Sequence, residues 1–236
     1  MSHDIRVASF DIGKKNFAFY AEDCSSSLLL DFQEQYKKLP KKFQRRSKGP
    51  MNNEIDHMLQ EIILDGKRVE GAMGVFDIRD DKTSNDLDIK TRVNMQNLLR
   101  SYSWLWDTTK IVIVEQQYFN ISNGRKSKPS GANVDAIKLA ECCACWFLDM
   151  YPNIEVLFFG SMYKTQILGA PDRLTKPQRK KWSIEKTLEI FERRGDTVAI
   201  EEMSAKKKAK VKLDDISDCV VMTQAFKFKT MVAMID

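Results

Sequence analysis

Residues 111–115 read IVIVE, four β-branched residues in a row closed by a carboxylate. A strand open to water on one face alternates apolar and polar residues, and this one does not. It is read as a central strand covered on both faces, so helices must lie on either side of it. Downstream, Val134, Ile137, Ala140, Ala144, Phe147 and Leu148 recur at helical intervals and predict a buried helix over 133–150. IEVLFFG at 154–160 is the next strand. Upstream, Val93, Leu98, Leu99 and Leu105 suit a helix over 87–106. At the start, IRVASF (5–10) runs into the turn signal Asp11-Ile12-Gly13 and NFAFY (16–20) leaves it, which predicts a hairpin. The remaining elements are a helix over 51–66, a strand around 69–79, a helix over 181–194 and a last helix, LDDISDCVVMTQAF. A block of strands followed by alternating helix and strand makes one α/β domain.

The chain has 236 residues, 43% hydrophobic and 30% charged, which predicts a folded core and excludes a disordered tail. No apolar run approaches the ~18 residues of a membrane span, and MSHDIRVASFDIG lacks the charged-then-apolar pattern of a secretory leader. Lys plus Arg is 38 against 33 for Asp plus Glu, a net +5 that is compatible with a polyanionic partner. The stretch KKLPKKFQRRSK (37–48) carries seven basic residues and no acid, and it reads as a solvated insertion. Five cysteines, three of them within four residues, cannot all pair, so a reducing intracellular compartment is expected. Cys142 and Cys145 form a C-x-x-C without a second pair, inside an apolar helix, and read as packing thiols. The only histidines are His3 and His57, which argues against a zinc hydrolase or a His-dependent triad.

Carboxylates stand where a purely structural protein has little use for them. Asp11 ends the first strand, Glu115 ends the most hydrophobic one, and Asp214, Asp215 and Asp218 crowd the start of the last helix. Positions 215 and 218 share a helix face, as do 214 and 218, while Ile216 and Val220 form the apolar side. Taken singly, each has a bland reading: a common turn, a solvent-facing strand end, acids answering the helix dipole. Together they need a cation to offset their repulsion, and Mg²⁺ or Mn²⁺ is the natural partner of all-oxygen ligands. Two such ions ~3.5–4 Å apart are the arrangement that cleaves phosphodiesters.

SFDIGKKNFAFY (9–20), IVIVEQQYF (111–119), NVDAIKLAECCACWF (133–147), FFGSMYKTQILG (158–169) and KKKAKVKLDDISDCVV (206–221) carry a pattern. It resembles the Holliday-junction resolvases of the RuvC type, in the branch found in poxviruses and other large DNA viruses. The resemblance implies an RNase H-like α/β fold, a mixed central sheet flanked by helices, as a single domain over 1–236. Residues 33–66 are a basic insertion that the motifs do not cover. It further implies that Asp11, Glu115, Asp215 and Asp218 ligate two Mg²⁺, with Mn²⁺ able to substitute, and that Asp214 supports them. Lys164 lies in the segment that bears the family's basic active-site residue, and Lys164 or Lys181 is expected to stabilise charge on the attacked phosphate.

A four-way or branched DNA substrate needs positive surface around the acidic centre. Lys14 and Lys15, Arg125, Lys126 and Lys128, Arg179, Lys180 and Lys181, and the run from Lys206 to Lys212 with Lys208 and Lys210 are the candidates. Tyr118, Phe119 and Tyr163 are candidates for stacking on bases. A homodimer is expected, because a two-fold junction calls for two equivalent sites, with the 87–106 helix and its Trp104 and Trp106 as the interface. No membrane and no small-molecule cofactor are expected, and a viral replication compartment follows from the resemblance. The competing readings are a nuclease cutting RNA–DNA hybrids, a non-catalytic nucleic-acid-binding module and an actin-like sugar kinase. The kinase would need a second glycine-rich loop that the sequence lacks.

Overall fold

The computed structural model describes residues 4–41, 53–83, 86–117 and 134–233. Five strands form one mixed sheet in the order β3-β2-β1-β4-β5. β1 (Asp4–Asp11), β2 (Phe17–Ser25) and β3 (Lys67–Phe76) are successively antiparallel. β4 (Thr109–Gln116) and β5 (Glu155–Gly160) run parallel to β1. The hairpin, the covered central strand and the strand over 154–160 are therefore where the sequence puts them. With helices on both faces, this is the RNase H-like α/β arrangement.

Side chains two residues apart share a face of a strand. Val7, Ile111 and Ile113 point to one layer, while Ala8, Phe10, Val112 and Val114 point to the other. On the second layer, α3 (Ile89–Ser101), the short α4 (Ser103–Trp106) and α5 (Val134–Met150) close over an aromatic cluster. Phe10 lies 5.5–5.8 Å, ring centre to ring centre, from Phe17, Phe19, Trp106 and Phe147. The single helix expected over 87–106 is two, broken at Tyr102. Trp106 is buried, and its Nε1 donates to the Leu99 carbonyl at 2.7 Å. Only Trp104 of the proposed interface pair is exposed.

The first layer holds α1 (Ser26–Lys38), α2 (Asn53–Asp65), α6 (Ser161–Ile167), α7 (Lys176–Arg194), α8 (Thr197–Lys208) and α9 (Leu213–Phe226), continued by a π-helix over Lys227–Val232. The flanks of the basic stretch belong to this core. Phe32 and Tyr36 of α1 and Ile55, Met58, Leu59, Ile62 and Ile63 of α2 are buried in it, whereas residues 42–52 fall outside the described residues. α7 begins five residues before the expected 181. Gln178 accepts from the Thr175 backbone N–H at 2.9 Å, and Pro177 suits the first turn. α9 is pinned to the sheet by a buried polar pair: Ser9 Oγ donates to the Cys219 carbonyl at 2.9 Å and accepts from Thr223 Oγ1 at 2.8 Å.

Candidate active site

The alternation that sends Val7 and Ser9 toward α9 sends Asp11 the same way, and Ile111 and Ile113 carry Glu115 with them. Both strand-end carboxylates therefore face the first turns of the helix that bears Asp214, Asp215 and Asp218. Lys164, in α6 directly after β5, enters between them and is 7% exposed. Its Nζ lies 2.8 Å from Glu115 Oε1 and 2.7 Å from Asp218 Oδ2. Gln117 Nε2 donates to Glu115 Oε2 at 3.1 Å, and Ser183 Oγ of α7 donates to Asp218 Oδ1 at 2.6 Å.

The electrostatics follow from this geometry. Burial, and then repulsion from Glu115, push the Asp11 carboxyl well above its ordinary range, with Lys164 opposing. Burial would raise Glu115 as well, but the Lys164 ammonium outweighs it, helped by a hydrogen bond from Asp11, and Glu115 is held low. Lys164 is itself raised: burial favours its neutral form, and Glu115 and Asp218 overcome that. Asp214 pairs with Lys180 and lies 3.6 Å from Lys212 Nζ. Asp215 has both oxygens on Lys212, at 3.1 and 3.0 Å, yet burial still raises it.

The sequence-selected residues thus divide. Asp11, Glu115, Asp218 and Lys164 come together, with Asp215 and Asp214 at the edge. Lys14 is tied to Asp135 of α5 at 2.6 Å. Lys15, Lys208 and Lys210 are exposed, and Lys181 stands in solvent opposite Glu185. Tyr163 packs on Phe159 under the Lys229 ammonium, 4.3 Å above its ring. Lys126 lies outside the described residues, as do Arg125, Lys128, Tyr118 and Phe119. Sequence reading missed Ser183 and the pairing of Lys212 with Asp215. The first has no local signal. The second was visible as a Lys-x-x-Asp spacing at a helix start.

Among the described residues no three acidic, histidine or cysteine groups surround a common point at ligating distance, since the Lys164 ammonium takes the middle. The chemistry of the set nevertheless suits a hard divalent ion: each candidate ligand offers carboxylate oxygens, and burial and neighbouring acids act on Asp11 more strongly than Lys164 opposes them.

No family model matches the chain. It is similar to uncharacterized protein 97L of Invertebrate iridescent virus 3, 26% identical over 233 residues, covering 94% of this chain and 98% of that one. It is also similar to uncharacterized protein 170L of Invertebrate iridescent virus 6, 27% identical over 257 residues, covering 97% and 91%. Among solved structures, that of Thermus thermophilus RuvC aligns over 96% of both chains at 12% identity with a TM-score of 0.45.

Proposed function

We propose that this chain is a divalent-metal-dependent endonuclease that resolves four-way and branched DNA junctions by paired, symmetric nicks. The observation that carries the reading is the gathering of Asp11, Glu115 and Asp218 around the buried ammonium of Lys164, where two parallel strands and α9 meet. Asp11, Glu115, Asp215 and Asp218 would hold two Mg²⁺ or Mn²⁺ ions, which supply an activated water and a stabilised leaving oxygen. Lys164 places positive charge where the attacked phosphate gains negative charge. Ser183 fixes one Asp218 oxygen, and Lys180 orients Asp214 behind the ligands. The exposed Lys15, Lys208 and Lys210 suit phosphate contacts outside the centre, as does Lys126 by its place in the sequence.

A homodimer would present two such sites to a two-fold junction. The exposed Ile89, Val93 and Trp104 of α3 and α4 support an interface there, and light scattering at micromolar concentration tests it. The five unpaired cysteines support a reducing compartment, and the relatives in two invertebrate iridescent viruses support a viral replication compartment. The deciding experiment incubates the protein with a synthetic four-way junction and Mg²⁺ and maps the nicks, with an RNA–DNA hybrid alongside. Paired nicks at the crossover are expected. Cleavage confined to the hybrid would move the substrate to RNA, and no cleavage of either would leave a binding module.

A further inference from the structure

The carboxylates of the cluster pair with the ammonium groups of Lys164, Lys180 and Lys212. Lys164 is sealed in, its side chain 8% exposed, and it bridges Glu115 and Asp218. Lys212 is different. Its side chain is 45% exposed, and its Nζ holds both oxygens of Asp215. Turning the Asn16 amide to the orientation that satisfies both its groups places the Asn16 oxygen 3.3 Å from the same Nζ. Lys212 therefore joins the turn after Asp11 to the start of α9.

Its position in the chain is costly by ordinary rules. Lys212 is the residue that caps the N-terminus of α9, where Ser, Thr, Asp or Asn would accept a backbone N–H and a lysine cannot. A positive charge at that end also opposes the helix dipole. The preceding turn is specialised as well, because Lys210 adopts φ +58°, a left-handed conformation, where α8 ends. A sequence that keeps a lysine against both preferences points to a use beyond stability.

We propose that Lys212 is a positioning residue for Asp215. Its ammonium holds the carboxylate in the metal-free protein, a divalent cation displaces it, and the freed side chain turns outward to contact a DNA phosphate. This rests on the metal-dependent nuclease reading above. The exposure of Lys212 lets it leave without opening the core, which Lys164 cannot do. Because ammonium and metal compete for one carboxylate, removing the ammonium strengthens metal binding even though it removes an interaction from the fold.

The test is Mn²⁺ binding followed by the electron paramagnetic resonance of the free ion. Lys212→Gln is expected to bind Mn²⁺ about tenfold more tightly than wild type, and Lys212→Arg, which keeps the charge, within about threefold of it. Unchanged or weaker affinity in Lys212→Gln overturns the proposal. Wild-type protein gives an independent check that needs no variant. Saturating Mg²⁺ should raise the labelling of Lys212 by an amine reagent, read by mass spectrometry, and unaltered labelling at a concentration shown to bind would also overturn it. If wild type binds neither ion, the metal-dependent reading falls and takes this inference with it.

Discussion

At Glu115 the buried carboxylate answers the Lys164 ammonium at 2.8 Å, and an amide there would keep the shape while losing the charge. Glu115→Gln is expected to abolish junction cutting, since an amide is a poor ligand for a hard cation. Binding to the junction in a metal-free gel shift should hold or strengthen, because one negative charge leaves a surface that must approach phosphates. Loss of binding as well would make Glu115 structural. Asp11 poses the opposite case. It is enclosed by Glu115, Asp218 and Asp215, with Lys164 only partly compensating. An asparagine at that position keeps a hydrogen-bond donor toward Glu115 and cannot ionise. Asp11→Asn is therefore expected to melt higher than wild type in EDTA at neutral pH, by about 2–4 °C for each kcal/mol of repulsion removed. A lower melting point would show that the carboxylate holds the fold together, and the metal reading would lose its physical support.

Between elements, the docking of α9 on β1 decides whether the carboxylates meet at all. Ser9 supplies the polar part of that contact. Ser9→Ala removes a buried hydroxyl and its bonds to the Cys219 carbonyl and Thr223, while Thr223 still donates to that carbonyl at 3.1 Å, a loss of about 1 kcal/mol. Thermal unfolding should show a drop of a few degrees, and the same variant should bind Mn²⁺ more weakly, because helix and sheet carry the proposed ligands from opposite sides. An unchanged melting point would mean that apolar packing alone seats the helix. The period-2 alternation that places Asp11 and Glu115 on the α9 face is legible in VASFD and IVIVE, and the helical spacing of Asp215 and Asp218 is legible in DDISD. What the sequence conceals has physical causes. α1 is hidden because its apolar residues Leu29, Phe32 and Tyr36 merge into a charged run whose basic end dominates the composition. The break at Tyr102 is hidden because α3 and α4 share one apolar rhythm. Ser183 and Lys180 come from a helix far away in sequence, and only the packing of α7 on α9 brings them to Asp218 and Asp214.

Across the whole molecule, a second set of buried charges stands at the other end of the first layer, among residues that reading by motif passed over. Glu22 of β2 is fully buried. It accepts from Arg194 Nη1 at 2.8 Å, from Tyr20 Oη at 2.8 Å and from Gln224 Nε2 at 2.9 Å, and it faces Lys227 Nζ at 2.5 Å. Arg194 also donates to the Ile63 carbonyl, and Lys227 to that of Ile62. One carboxylate thus fastens the sheet, α2, the end of α7, α9 and the π-helix to each other. Burial alone would raise its pKa, but Arg194 and Lys227 bring it down from the ordinary 4.5 to about 2. A carboxyl held low in the folded state contributes its full stability above the unfolded value, and the contribution disappears as pH falls through the folded one. The window is therefore about pH 4.5 down to pH 2, and the amount is on the order of 3 kcal/mol. Glu22→Gln leaves two buried cations facing a neutral amide and is expected to cost about 3–5 kcal/mol at neutral pH. The gap in melting temperature between wild type and Glu22→Gln should stay wide down to about pH 4.5 and narrow steadily below it, as wild type protonates and comes to resemble the variant. A gap that stayed constant to pH 2 would mean that the shape of the side chain, rather than its charge, holds these five elements together.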